Sequence, residues 1–192
     1  MTFTAPDIDY AGIAPIIALT AGLVAVLLGG LVGRGQRVVV SSLSFIAYGA
    51  AAGLLIWQFG EDKSLVAGAL RLDDLAVVAS LIAIGCAVFV IPLSWREEAA
   101  DDAPGPAGHG EFQALLIASV LGMVLLAMSQ NLISFFVGLE LLSVPLYVMC
   151  GSALRRPASL ESGLKYLIVG SLGSATLLYG LAFIYGGSGS TD

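Results

Sequence analysis

Residues 131–151 read NLISFFVGLELLSVPLYVMCG, and this stretch decides the class of fold. Between Asn131 and Gly151 it carries a single charged side chain, Glu140, in a run long enough to cross the roughly 30 Å hydrocarbon core of a bilayer. The rest of the chain agrees with it. Of 192 residues, 58% are hydrophobic and 11% charged, with a mean hydropathy of +0.95, whereas a soluble domain is about 25% charged. The net charge is −6, and the 8 Lys and Arg residues are scattered singly or in one pair, which excludes a nucleic-acid surface.

Outward from that run the apolar segments repeat. Gln130 and Asn131 form a tight turn from a fourth span at about 112–129, so the central run is a fifth span at about 132–151. A link at 152–162 then leads to a sixth span at about 163–185. Toward the N-terminus, spans are expected at about 12–33, 38–59 and 74–93, the third stopping at Pro92. The stretch 60–73 is polar and too short to hide a domain, so it is expected to be an extramembrane loop. A second loop, 94–111, is acidic through Glu97, Glu98, Asp101 and Asp102 and rich in Ala, Gly and Pro, the composition of a flexible solvated segment. The sequence therefore predicts an all-α, polytopic transmembrane bundle of about six spans, with 1–192 as a single membrane domain.

Lys and Arg in short loops mark the cytoplasmic side. One set of loops holds Arg34, Arg37, Arg96, Arg155 and Arg156, and the opposite set holds Lys63 and Arg71. The first set, with the acidic loop, is thus expected in the cytoplasm and both termini on the non-cytoplasmic side. The N-terminus has Asp7 and Asp9 and no basic residue before the first apolar run, so that run reads as a retained helix rather than a secretory signal. Cys86 and Cys150 lie in apolar stretches and read as buried thiols packing as small apolar groups. Small residues at four-residue spacing, Gly29 with Gly33, Gly49 with Gly53 and Gly170 with Ser174, are candidates for close helix approach.

Glu140 is the residue that demands a chemical explanation. It lies nine residues past Asn131, or ~14 Å into the hydrocarbon at about 1.5 Å per residue, close to the midplane. A carboxylate there is costly unless protonated, hydrated or paired, and intramembrane acids of this kind are by default proton or ion sites. The alternative is a protonated structural Glu bonded to a neighbouring helix. Pro145 frees the carbonyl of Leu141 next to it, and Ser143, three positions on, shares its face and is placed to donate to the carboxylate or to a water. Lys165 has two open readings: a residue of the proton path, or a snorkelling Lys paired with Glu161 four residues earlier. His109 reads as a solvated loop histidine. Trp57, Trp95, Tyr147 and Tyr166 suit interfacial anchors. No phosphate-cradling loop, paired metal ligands or Ser/His/Asp arrangement is present, so no metal, nucleotide or flavin site is expected in this chain.

The fifth-span run, continued by ESGLKYLIVGSLGSATLLYGLAFIYG at 161–186, resembles the antiporter-like membrane subunits of proton-pumping NADH-quinone oxidoreductase, respiratory complex I. Within that family the continuation is closer to the N-type subunit than to the L or M types. The resemblance implies a proton-translocating subunit of the inner membrane in which Glu140 belongs to a buried Glu/Lys pair and Lys165 takes part in the proton path. It also implies other membrane subunits of the complex as partners besides the lipid bilayer, with NADH, FMN, iron–sulfur clusters and quinone held by partner subunits, so that the enzyme label belongs to the assembly. Such subunits usually have about fourteen helices built on two inverted repeats. This chain would match the N-terminal part, truncated after helix six, and the Lys partner of Glu140 would lie beyond Asp192. Two other readings remain: a subunit of a multisubunit cation/proton antiporter, and a non-functional truncated helical scaffold.

Overall fold

A computed structural model describes residues 9–31, 36–99, 109–154 and 156–191, with backbone alone for 36 and 95–99. Arg34, Arg155, Asp101, Asp102 and Gly33, and the side chains of Trp95, Arg96, Glu97 and Glu98, lie outside the described residues. The described residues form six α-helices: α1 (Ala14–Gly30), α2 (Gln36–Trp57), α3 (Asp74–Ala99), α4 (His109–Met128), α5 (Leu132–Cys150) and α6 (Pro157–Ser188). Five of them, α2 to α6, are long and apolar enough to cross a membrane, and α1 is a shorter apolar helix of 17 residues.

The helix ends follow local chemistry. Pro15 sits in the first turn of α1 and Pro157 opens α6, positions where a missing N–H costs nothing. Gly189 closes α6 in the left-handed conformation at φ 70°, its N–H donating to the carbonyl of Tyr185, the usual glycine stop. Asn131 caps α5 reciprocally with Ser134: the Asn131 side chain accepts from the Ser134 N–H at 2.7 Å, and the Ser134 hydroxyl accepts from the Asn131 N–H.

Several expected boundaries move. Helix α3 does not stop at Pro92 but continues to Ala99, because a proline deletes one backbone bond and kinks a helix without obliging it to end. Helix α4 begins at His109, a turn earlier than expected, so helix takes up both ends of the stretch expected as a loop at 94–111, and 100–108 lie outside the described residues. As a result His109 is not a solvated loop residue. It is 5% exposed and shares a 3.1 Å hydrogen bond with Ser41 on α2. The early first turn of α4 fits because Gly110 lies against α1, where a Cβ would come within 2.7 Å of the Gly30 Cα.

Helix α4 is the hub of the bundle. It packs on α1, α2, α3 and α5, whereas α6 packs chiefly on α5 and buries only Gly163. The core accordingly lies among α1 to α4, with Leu19, Val26, Tyr48, Leu55, Val77 and Ile117 wholly buried. Both cysteines are exposed on the bundle surface rather than buried, as free thiols.

The polar stretch after α2 is not a plain loop. It folds into an antiparallel hairpin of β1 (Lys63–Leu65) and β2 (Leu70–Leu72), with Lys63 opposite Leu72 and Leu65 opposite Leu70. Its alternation puts Leu65 and Leu72 inward and Ser64 and Arg71 outward. The hairpin gathers one end of the bundle. Gln58 donates to the carbonyl of Ala11, Lys63 reaches Asp9 at 3.8 Å, and the N–H of Gln130 donates to the Ala69 carbonyl at 3.0 Å. At the same end the N–H of Leu132 donates to the carbonyl of Thr191 at 2.8 Å. The described chain therefore begins and finishes at one end of an alternating bundle.

Candidate functional site

The site is built on α5, and α5 is held before it is functional. At its start the Ser134 hydroxyl donates to the Ala69 carbonyl of the hairpin at 2.8 Å while completing the Asn131 cap. Along its length two glycines bring α4 and α5 into backbone contact. A Cβ on Gly122 would lie 2.6 Å from the Leu141 carbonyl carbon, and one on Gly138 would lie 2.9 Å from the Leu126 nitrogen. Small residues of this kind substitute in lipid for the missing hydrophobic drive between helices.

Between these contacts lies Glu140, the ninth residue of α5, about 12 Å along a helix of about 28 Å. Its residue is half-buried, and its Oε1 atom is buried with no hydrogen-bond partner among the described residues. The sequence placed Ser143 to serve that carboxylate. The structure differs: the Ser143 hydroxyl donates back to the Leu139 carbonyl at 2.7 Å, the local bond a mid-helix serine finds most readily. Pro145 sits inside α5 without ending it. At that break Ser119 of α4, wholly buried, donates to the Leu142 carbonyl at 3.1 Å, so the loosened turn is tied across the α4–α5 contact.

Lys165 is not brought to Glu140. Its ammonium pairs with Glu161 at 2.5 Å one turn earlier on α6, and the two side chains are 72% and 65% exposed. The (i, i+4) spacing explains that pair without further help. Tyr147 is likewise no interfacial anchor. It is 9% exposed, meets Tyr166 edge to face at 4.7 Å, and lies over Gly170, where a Cβ would come within 2.5 Å of its ring. Trp57, at the end of α2, is 74% exposed, as an anchor is expected to be.

Of the small-residue pairs read from the sequence, Gly29 meets Leu43 and Gly170 meets Tyr147, but a Cβ on Gly49 or Gly53 would meet nothing within 4 Å. The glycines that matter most for the site, Gly122 and Gly138, were missed. A signal existed, since Ala114, Ala118 and Gly122, and likewise Ser134 and Gly138, recur every four residues. Among the described residues no group of three or more His, Cys, Asp or Glu side chains is placed to hold a metal ion.

Chemically, the arrangement offers one carboxylate at mid-span on a helix whose ends and flank are fixed, with one oxygen lacking a partner. In a low dielectric such a group is stable when it holds a proton or meets a cation.

Comparison with known proteins gives a consistent picture. Residues 129–192 match the family model described as NADH:quinone oxidoreductase/Mrp antiporter, TM. The chain is 32% identical to NADH-quinone oxidoreductase subunit N 1 of Symbiobacterium thermophilum over 188 residues, covering 96% of this chain and 37% of the relative. It is 35% identical to NAD(P)H-quinone oxidoreductase subunit 2 of Prochlorococcus marinus over 189 residues, with 97% and 36% covered. Its fold superposes with a TM-score of 0.75 and 31% identity on a chain of respiratory complex I from Thermus thermophilus with bound aureothin, covering 92% of this chain and 38% of that one. The chain thus spans little more than a third of the length of the relatives it matches.

Proposed function

From the premise that this chain is a homologue of NADH-quinone oxidoreductase subunit N, similar over nearly its whole length, we propose that it forms part of a membrane subunit coupling electron transfer from NADH to quinone with proton translocation. The observation that carries the reading is the Glu140 Oε1 atom, buried at mid-span without a partner among the described residues. In this reading Glu140 is the proton carrier, alternating between a protonated form stable in the apolar surroundings and an ionised form stabilised by a cation or water. Lys165, with Glu161, is a relay at the opposite end of the bundle from the hairpin. The partners are the other membrane subunits of the complex and the lipid of the inner membrane. NADH, FMN, iron–sulfur clusters and the quinone headgroup belong to partner subunits, so that catalysis of the redox step is a property of the assembly. The N-terminal end, with Lys63 and Arg71, faces the non-cytoplasmic side, in keeping with the loop charges.

A cation/proton antiporter subunit is the second reading, favoured by the description of the family model, which names both. The two separate in inverted vesicles that carry the full-length subunit with its partners. Proton uptake started by NADH and stopped by withdrawing quinone supports the first reading. Uptake driven by a sodium gradient and indifferent to NADH supports the second.

A further inference from the structure

Helices α2, α3 and α4 pack pairwise, and each turns polar side chains into the interior they share. Ser41 and Tyr48 lie on one face of α2 at seven-residue spacing, Ser80 and Ser94 on one face of α3 at fourteen, and His109 and Gln113 on one face of α4 at four. Ser41, Tyr48, Ser80, His109 and Gln113 are each at most 5% exposed. Part of this polar surface is satisfied within the protein. Ser41 bonds His109 at 3.1 Å, the Gln113 amide donates to the Ser94 hydroxyl at 3.1 Å, and that hydroxyl donates to the Ile91 carbonyl at 2.9 Å.

The remainder is not. The Tyr48 hydroxyl, the Ser80 hydroxyl and the Gln113 side-chain carbonyl are buried without a hydrogen-bond partner among the described residues, each on a side chain that is 0% exposed. A buried polar atom left unpaired costs about 1–3 kcal/mol, and in a membrane no surrounding solvent relieves that cost. Three such atoms, one on each of three packed helices and spaced along the bundle, point to a ligand that both donates and accepts hydrogen bonds and is small enough to enter a helix interior. Water has those properties and fills this role in protein interiors.

We propose that the interior between α2, α3 and α4 is a water-binding seam, in which ordered water molecules are held by Tyr48, Ser80 and Gln113. Gln113 stands about 6 Å from the start of α4, Tyr48 about 18 Å from the start of α2 at that same end, and Ser80 about 9 Å in from the opposite end on α3. The seam therefore extends from the His109–Ser41 pair through the middle of the bundle. It is separate from Glu140 and does not depend on the proton-carrier reading.

Radiolytic hydroxyl-radical footprinting of the full chain in membranes tests this, because radicals born from a bound water oxidise the side chain beside it while dry interior residues stay intact. Corrected for intrinsic reactivity, Tyr48 should be oxidised at least about fivefold faster than Leu55, which is equally buried but has no polar atom to hold a water. Equal rates for Tyr48 and Leu55 overturn the proposal. Tyr48→Phe, which removes the hydroxyl that holds the water beside it, should bring labelling at position 48 down to the level of Leu55 once corrected for the reactivity of phenylalanine. Unchanged labelling in that variant also overturns the seam as stated. If Tyr48→Phe fails to accumulate, the wild-type comparison between Tyr48 and Leu55 decides by itself.

Discussion

Ser119 on α4 donates its hydroxyl proton to the carbonyl of Leu142 on α5 at 3.1 Å, two residues beyond Glu140. The bond ties the helix carrying the mid-span carboxylate to the most buried helix of the bundle, next to the turn that Pro145 loosens. Ser119→Ala should destabilise the α4–α5 pair by about 0.6 kcal/mol, and by no more than ~1.7, the range of interhelical bonds in membranes. Ser119→Thr, which keeps the hydroxyl, should recover most of the loss. Unfolding of the purified chain in mixed micelles measures both.

The glycine contacts should be more sensitive. Gly122→Ala and Gly138→Ala place a methyl group against backbone with no flexible side chain to yield, and each should cost about 1–3 kcal/mol through overpacking. Gly49→Ala is the control. It meets nothing within 4 Å and should be neutral or stabilising by up to about 1 kcal/mol from helix propensity. The same micelle unfolding ranks all three.

For Lys165 the exposed pair with Glu161 is worth a few tenths of a kcal/mol at most, so stability does not report on a role in proton transfer. Proton uptake does. If Lys165 is a relay, Lys165→Ala lowers NADH-driven uptake in the assembled complex while Lys165→Arg retains part of it. Full uptake in both variants leaves only a snorkelling surface lysine.

At the hairpin, Arg71 grips Asp62 through two bonds of 2.8 and 2.6 Å. The hydrogen bond from Arg71 holds the Asp62 carboxyl below its ordinary value of 3.8. A carboxyl depressed in the folded state contributes stability that is complete above its unfolded value and is lost as pH falls through the folded one. Amide protection of the Leu65 and Leu70 pair should therefore be constant from neutral pH down to about 5 and decline below about 4. In Asp62→Asn that decline should vanish.

The helices were legible because a run such as 132–150 has little choice in lipid: its backbone must satisfy itself, and a helix does so. Boundaries were less so. Pro92 reads as a stop from local rules, yet packing carries α3 past it, and the burial of His109 depends on Ser41, 68 residues away. The hairpin escaped reading because its two strands are three residues each and their turn runs through Val66 and Ala67 at φ 51° and 54°. Those values are uncommon for any residue but glycine, and especially for a β-branched one. Such a turn is held by its surroundings, here by the two donors on the Ala69 carbonyl, and leaves no signature in the turn residues. Within the site, Glu140 stood out by charge alone. Ser119 and the two glycines did not, because small residues are common in this chain and only the structure tells which of them touch.

The most direct measurement of the central claim is NADH-driven proton uptake in inverted vesicles containing the full-length subunit with Glu140→Gln, in its assembled complex. Glutamine keeps the shape and hydrogen-bonding capacity of a protonated glutamate but cannot exchange its proton. The proton-carrier account predicts that uptake falls by about tenfold or more, while the complex remains assembled. Unchanged uptake and unchanged quinone reduction would contradict it, and Glu140 would then be a structural residue of a helical scaffold.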